Sequence, residues 1–345
     1  MDASYKNILI IKPSSLGDVV LALPALSSLR KSFPNAKISW LVRPEFAPVL
    51  ENHPDLNEII IFDRKLLGKF FCPAGFKAIL SLIKKLRSAK FDAVFDFQGL
   101  FRTAGLARLS GCKNRFGMAN ARECASSFYT HKITQDKNSI HLVDLYLKIV
   151  RAAGAANTEP HFTLPVDPAA EKSVKGLLDT HKIKPKNYAV LITTSAREGK
   201  CWPIENFAAV AEKLYSRFQL PSIATGLASE KDYIDRLSHL TKVPVINLAG
   251  ELSLKELVAL LASAKVVLSN DTGPGHIAAA LGTPVVMIFG YSNPARVAPY
   301  KKPNSFVAID DGSRGEQTNN FAPKYDVKNV TVDMTFEKLR NQIAL

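Results

Sequence analysis

No apolar run in this chain of 345 residues approaches the roughly 20 residues that a membrane-spanning helix requires, which argues against an integral helical membrane protein. The amino terminus, MDASYKNILIIKPSS, has a short apolar stretch that leads straight into a turn. It lacks the basic start, longer apolar core and small-residue cleavage site of a secretory signal. Cysteine is sparse as well. Cys72, Cys112, Cys124 and Cys201 form no CxxC pair and show no metal-ligand spacing, a pattern that fits a reducing cytoplasm. Acid is missing where base is plentiful: Arg64 to Lys90 holds eight basic residues and no acidic one. Residues 1–160 carry 23 Lys/Arg against 13 Asp/Glu, a net +10 of the chain's +14. Such a field attracts a phosphate-bearing substrate, an anionic lipid surface or nucleic acid, although a solvated basic face explains the run equally well. No RRM, KH or helix-turn-helix signature accompanies the charge, so a nucleic-acid partner is not expected.

Apolar residues make up 47% and charged residues 22%, which is ordinary globular usage. The length suits two domains, each able to bury a core. NILIIK (7–12), AKISWLV (36–42), EIIIF (58–62) and DAVFDF (92–97) read as buried strands, with helical stretches at 19–33, 76–90 and 141–153. The series restarts with strands at 188–194, 221–226, 244–250, 265–270 and 284–290, separated by helical stretches such as 204–218 and 253–264. Strand and helix in repetition predict a parallel sheet covered on both faces. The expected class is therefore α/β, with two doubly wound domains over 1–165 and 166–345 joined through the Pro-, Lys- and Thr-rich segment 157–186. The last helix is a candidate to pack back on the first domain. Open parallel sheets bind ligands beyond the carboxyl ends of their strands, so two such domains facing each other would share one cleft. Function has to be argued from the turns themselves.

The first such turn is KPSSLGDVV. Ser14 or Ser15 can cap the helix that follows, and Gly17 permits a close backbone approach. GxGxxG is absent, so this is no dinucleotide fingerprint. Asp18 has two readings. In the first helical turn it gains from the helix dipole, a plain stabilising charge; exposed at the sheet's edge, it could equally take a proton from a substrate hydroxyl.

The second turn is NDTGPGHIAAALGTP (270–284). A Gly-rich turn that opens a helix aims several N–H groups at one point, and with the Thr272 hydroxyl it suits a diphosphate. His276 lies one turn into that helix, where it could cap or pack without chemistry. Lys200, before Trp202-Pro203, can neutralise a phosphate as a point charge or be one basic residue among 45. Glu230 follows the strand at 221–226, a place from which an acid can accept from ribose hydroxyls. No DxD occurs in the chain. A metal-dependent sugar transferase would bring paired acids to a divalent ion, so metal independence is expected and no metal ligands are assigned.

Taken together, KPSSLGDVVLALPAL, DFQGLFRTAGLA (96–107), ARECASSFY (121–129), REGKCWP (197–203) and NDTGPGHIAAALGTP resemble glycosyltransferase family 9, the ADP-heptose:lipopolysaccharide heptosyltransferases. The DxQGL and RE…FY segments look most like heptosyltransferase I. The resemblance implies a GT-B fold of two Rossmann-like domains facing a central cleft, an ADP-heptose donor and an anionic Kdo–lipid A acceptor. It implies Asp18 as the catalytic base. Ser195, Lys200, Glu230, Asp271, Thr272, Gly273 and His276 fall at the donor site. Ser15, Gly17, Arg64, Lys65, Gln98 and Arg122 fall at the acceptor site. One departure is plain: where the heptosyltransferase I pattern has a Thr pair, this chain has Ser195 and Ala196, and Ala196 cannot replace a hydroxyl. The implied reaction is an inverting, metal-independent heptose transfer by a cytoplasmic monomer that touches the inner membrane surface through 76–90, where a helix merely covering the sheet is the plainer reading. Heptosyltransferase II, a later core heptosyltransferase, a sugar-nucleotide epimerase of similar fold and a nucleic-acid-binding protein are the competing readings.

Overall fold

A computed structural model describes residues 5–68, 72–136, 139–156, 159–309, 314–315 and 317–344. The chain divides into two compact units, Met1–Pro165 and Val166–Leu345.

In the first unit the strands are β1 (Asn7–Ile11), β2 (Lys37–Val42), β3 (Glu58–Ile61), β4 (Ala93–Asp96), β5 (Asn114–Met118) and β6 (His131–Ile133). They pair in parallel in the order β3-β2-β1-β4-β5-β6. Its helices are α1 (Leu16–Leu21), α2 (Leu23–Ser32), α3 (Arg64–Leu67), α4 (Pro73–Ser88), α5 (Phe101–Leu109) and α6 (Leu142–Arg151). Ile8 to Ile11 and Ala93 to Phe95 are fully buried, as strands covered on both faces must be. The single helix expected over 19–33 is two. It begins earlier, at Leu16, and restarts at Leu23 because Pro24 lacks an N–H and is tolerated only in a first turn. Strands β5 and β6 are additions to the expected series.

The second unit repeats the plan. Its strands are β7 (Ala189–Ile192), β8 (Ser222–Ala224), β9 (Val245–Asn247), β10 (Val266–Asn270), β11 (Val285–Phe289) and β12 (Phe306–Ala308). They form a parallel sheet in the order β12-β11-β10-β7-β8-β9. The helices are α7 (Pro168–Thr180), α8 (Ile204–Phe218), α9 (Lys231–Leu240), α10 (Leu254–Ala262), α11 (Gly273–Ala280), α12 (Pro294–Val297) and α13 (Val332–Ile343). The last helix, α13, packs on α8 and β11 of its own unit, with Phe336 against Phe218. Trp202 is fully buried and donates its indole N–H to the Val330 carbonyl at 2.7 Å.

Both sheets reverse direction once, between β1 and β4 and between β7 and β10. Ligands of open α/β sheets bind at the carboxyl edge beside such a reversal. The turn holding Asp18 leaves β1, and the turns holding Lys200 and Asp271 leave β7 and β10. Among the described residues no helix is long and apolar enough to cross a membrane.

Candidate active site

At the first reversal, β1 runs into Lys12, Pro13 and Ser14, and the Ser14–Ser15 peptide is cis. The Ser14 N–H donates to Gln98 Oε1 at 3.3 Å, which ties the turn after β1 to the turn after β4. Gly17 is buried in the first turn of α1. Asp18 Oδ2 accepts from the Ser15 N–H at 3.0 Å and the Ser15 hydroxyl at 2.9 Å. Asp18 therefore closes the start of α1, as a first-turn carboxylate does for many helices. It does so at the sheet's carboxyl edge, with 30% of its side chain exposed, so a substrate hydroxyl could reach it.

Beneath Asp18 lies Lys12, whose Nζ is 3.7 Å from Oδ2. Burial works against the Lys12 charge, but Asp18, Tyr146 and Asp96 outweigh it and hold the ammonium pKa above the ordinary value. A second buried group sits beside it. Asp96 accepts from the Tyr129 hydroxyl at 2.8 Å and from the Gln98 and Gly99 N–H groups at 2.9 and 3.2 Å. Burial still pushes its pKa up, the three bonds opposing that only in part. Gly117 is what admits Tyr129: a Cβ there would lie 2.3 Å from a ring carbon. The cations expected around the acceptor are exposed but dispersed. Arg64 and Lys65 open α3 after β3, capped by Asp63, while Arg122 follows β5. Four strand spacings separate β3 from β5, roughly 19 Å, so these cations are not one cluster.

The second reversal is more tightly built. Asn270 ends β10 and is fully buried. Its amide donates to the Thr193 carbonyl at 2.9 Å and its Oδ1 accepts from the Trp202 N–H at 3.0 Å, locking the loop after β7 onto β10. That lock places Lys200 against Asp271, whose Oδ2 it pairs with. His276, 5% exposed, faces the other oxygen, with Nε2 at 3.6 Å from Oδ1. Burial opposes the charge on Asp271, but the neighbouring His276 and Lys200 outweigh it and hold its pKa well below the usual carboxylate range.

Thr272 caps nothing with its side chain; its hydroxyl lies 3.1 Å from that of Ser269. Gly273 opens α11, and Gly275 lets this helix lie on the sheet, since a Cβ would meet Ser269 Oγ at 2.8 Å and Met287 Cε at 2.9 Å. The amides of this first turn remain directed along the helix axis, and with Lys200 paired to the neighbouring Asp271 the arrangement could receive an anion. Two buried polar atoms here have no hydrogen-bond partner among the described residues, Thr193 Oγ1 and His276 Nδ1. Buried polar atoms without partners are rare, and they are suited to a ligand or its hydration. Ser195 is half-buried, and its carbonyl accepts from the Cys201 thiol at 3.8 Å. Glu230 Oε2 accepts from the Leu227 N–H at 2.6 Å, which binds it to the loop after β8. Lys12 and the pairing of Asp96 with Tyr129 are the parts that sequence reasoning missed; Asn270 was named with its turn, but not its lock on the loop after β7. Lys12, closing an apolar strand, was the one visible signal. Among the described residues no three His, Cys, Asp or Glu side chains gather to hold a metal ion.

The model of glycosyltransferase family 9 (heptosyltransferase) matches residues 79–321, most of the chain. This chain belongs to that family. The lipopolysaccharide core heptosyltransferase OpsX of Haemophilus influenzae is 27% identical over 98% of this chain and 96% of its own length. Lipopolysaccharide heptosyltransferase 1 of Escherichia coli O18:K1:H7 is 30% identical over 92% of this chain and 96% of its own. The solved E. coli heptosyltransferase WaaC with ADP-2-deoxy-2-fluoro heptose is 26% identical, covers 97% of this chain and 99% of its own, and superposes with a TM-score of 0.75. The family 9 chain is thus a glycosyltransferase of the GT-B class, built from two Rossmann-like domains.

Proposed function

We propose that this family 9 glycosyltransferase moves a heptose from ADP-heptose to the Kdo–lipid A inner core of lipopolysaccharide, with inversion and without a metal ion. The observation that carries the donor half is the Lys200–Asp271–His276 arrangement at the head of α11. Lys200 and the first-turn amides hold the diphosphate and take up the charge that builds on it as the anomeric C–O bond breaks. Glu230 faces the ribose, and Ser195 supplies the hydroxyl that remains of the Thr pair. The acceptor oxygen attacks the anomeric carbon from the opposite face while its proton passes to Asp18, and ADP departs. Ser15, Gly17 and Gln98 shape the turn around Asp18; Arg64, Lys65 and Arg122 attract the anionic acceptor from several sides. The similarity over almost the full length to a heptosyltransferase 1 supports this acceptor. A second acceptor reading, a later core heptose, is favoured by a heptosyltransferase 3 of E. coli that is 30% identical over 79% of this chain.

We further place the enzyme in the cytoplasm, as a monomer against the anionic inner membrane surface through α4. Gly75, Leu82 and Leu86 of this helix are buried, whereas Phe76 and Leu80 are 57% and 50% exposed. Lys77, Lys84 and Arg87 are exposed on the same side and form no ion pair among the described residues; Lys85 is engaged by Glu58 at 2.9 Å. Apolar side chains flanked by cations suit an anionic lipid interface.

The deciding experiment compares ADP-heptose with UDP- and GDP-sugars, on Kdo–lipid A and on a core that already carries heptose. Transfer from ADP-heptose to Kdo–lipid A is expected; transfer only to the heptosylated core assigns the later step.

A further inference from the structure

The carboxyl edge of the second sheet continues past β10 to β11, and an aromatic pair stands there that the proposed reaction has not used. Tyr291 follows β11 by two residues. Its ring lies against the Lys200 loop, so close that a Cβ on Gly199 would touch it at 3.6 Å. Its hydroxyl donates to Asp326 Oδ2 at 2.9 Å, and its carbonyl accepts from the Asn320 N–H at 2.8 Å. An antiparallel bridge between Ser292 and Asn319 and a bond from the Asn293 N–H to the Thr318 carbonyl at 3.0 Å clip the same segment down. This clip delivers Phe321, whose ring centroid is 5.5 Å from that of Tyr291 at an interplanar angle of 43°. Phe321 is 72% exposed, so its fixed position buries little of its own surface. A phenyl ring held in water against a tyrosine that lies on the Lys200 loop has unspent apolar area and an electron-rich face that attracts C–H groups.

We propose that Tyr291 and Phe321 form a ring platform for the transferred sugar of the donor. The assignment rests on the donor reading above and on strand order. Along this edge the neighbours are β8, β7, β10 and β11, which carry Glu230, Lys200, Thr272 and Tyr291 after their ends. With ribose toward Glu230 and diphosphate at Lys200 and Thr272, the part of the donor beyond the diphosphate extends toward β11. That part is the sugar, whose C–H face stacks on aromatic rings.

The test pairs calorimetric titration of ADP with steady-state kinetics on ADP-heptose for wild type, Phe321→Ala, Tyr291→Ala and Tyr291→Phe. Phe321 is exposed, so its truncation leaves the fold intact. For both alanine variants the expected result is a KM for ADP-heptose raised about tenfold with ADP affinity within about twofold of wild type, because ADP lacks the sugar. Tyr291→Phe keeps the ring and should keep the KM. An unchanged KM in Phe321→Ala, with normal ADP binding, overturns the platform alone. A parallel loss of ADP affinity also overturns it, by assigning the rings to the nucleotide. A wild-type enzyme that binds no ADP overturns the donor reading and the platform together.

Discussion

The ammonium of Lys12, 4% exposed, lies 3.7 Å beneath Asp18 Oδ2, so the carboxylate at the first sheet reversal stands on a buried cation. Together with the Ser15 N–H and hydroxyl, Lys12 fixes one carboxylate oxygen in place at an edge where a substrate can bind.

This arrangement sets the terms on which Asp18 is tested. Asp18→Asn preserves shape and can still accept from the Ser15 N–H, but it cannot take a proton. Transfer should be abolished with ADP affinity near wild type. A variant retaining more than about a tenth of the wild-type rate, a barrier change under ~1.4 kcal/mol, removes Asp18 as the base. The substitution also removes the charge 3.7 Å from the Lys12 ammonium and leaves Asp96 and Tyr146 to offset its burial. A stability loss of about 1 kcal/mol is expected, below the 3–5 of a fully buried pair because Asp18 is partly exposed. Thermal denaturation separates that loss from the kinetic one.

Lys200→Ala should weaken donor use more than it weakens folding. Its side chain is 24% exposed and that of its partner Asp271 is 7% exposed, so the variant leaves Asp271 to His276, whose Nε2 lies 3.6 Å from Oδ1. Loss of a charge that stabilises the leaving diphosphate should cut kcat/KM for ADP-heptose by about a hundredfold or more, some 2.7 kcal/mol. Unchanged kinetics would take Lys200 out of the site. Because Lys200 and the head of α11 carry the diphosphate in this reading, excess EDTA should leave the wild-type rate intact, and strict Mg²⁺ dependence would defeat it.

Much of this was legible in the amino-acid order. β1 and β11 are continuous apolar runs, and β4 and β10 are apolar up to their carboxyl ends, because both faces of each are covered, and such runs are hard to mistake. β5 and β6 were not legible: NRFGM and HKI carry Arg, Gly, His and Lys, since these strands lie toward an edge and Gly117 must make room for Tyr129. The motif residues Asp18, Lys200 and Asp271 could be named from their turns. The pairs that hold them could not, because Lys200 and Asp271 meet across 71 residues and Asp96 and Tyr129 across 33.

A pH dependence follows from His53, which is buried in the first unit. Its Nε2 donates to the Thr163 carbonyl at 3.0 Å and its Nδ1 accepts from the Asp55 N–H at 3.1 Å, an arrangement that requires the neutral ring. Burial lowers its pKa from 6.5, against the pull of Asp55 and the bond to Thr163. The sign is fixed by this direction: the stabilisation is complete above 6.5 and is lost as pH falls through the lowered folded value. Wild-type stability should therefore decline below pH 6.5, and His53→Gln should flatten that decline while lowering stability at neutral pH. Trp40 in the first unit and Trp202 in the second are both buried, so fluorescence of a Trp202→Phe variant reports the first unit alone. A wild-type profile that is flat between pH 6.5 and 5 contradicts the assignment.

Membrane binding through α4 can be tested apart from transfer. Phe76 and Leu80 are exposed on a helix whose inner face is already satisfied, and each would remove apolar area from water only at an interface. Lys77, Lys84 and Arg87 add electrostatic attraction worth about 1 kcal/mol each near an anionic surface, screened by salt. Wild-type protein should co-sediment with vesicles containing anionic phospholipid, release as salt is raised, and ignore neutral vesicles. Phe76→Ser with Leu80→Ser should weaken binding without reducing the melting temperature, since neither side chain is in the core. Lys77→Glu with Lys84→Glu should nearly abolish it, each reversal costing the attraction and adding repulsion. With acceptor presented in detergent, both double variants should transfer at the wild-type rate, because α4 carries none of the residues assigned to donor or base. Equal binding of wild type to neutral and anionic vesicles, or of the charge-reversed variant to anionic ones, would return this helix to the plainer role of covering the sheet.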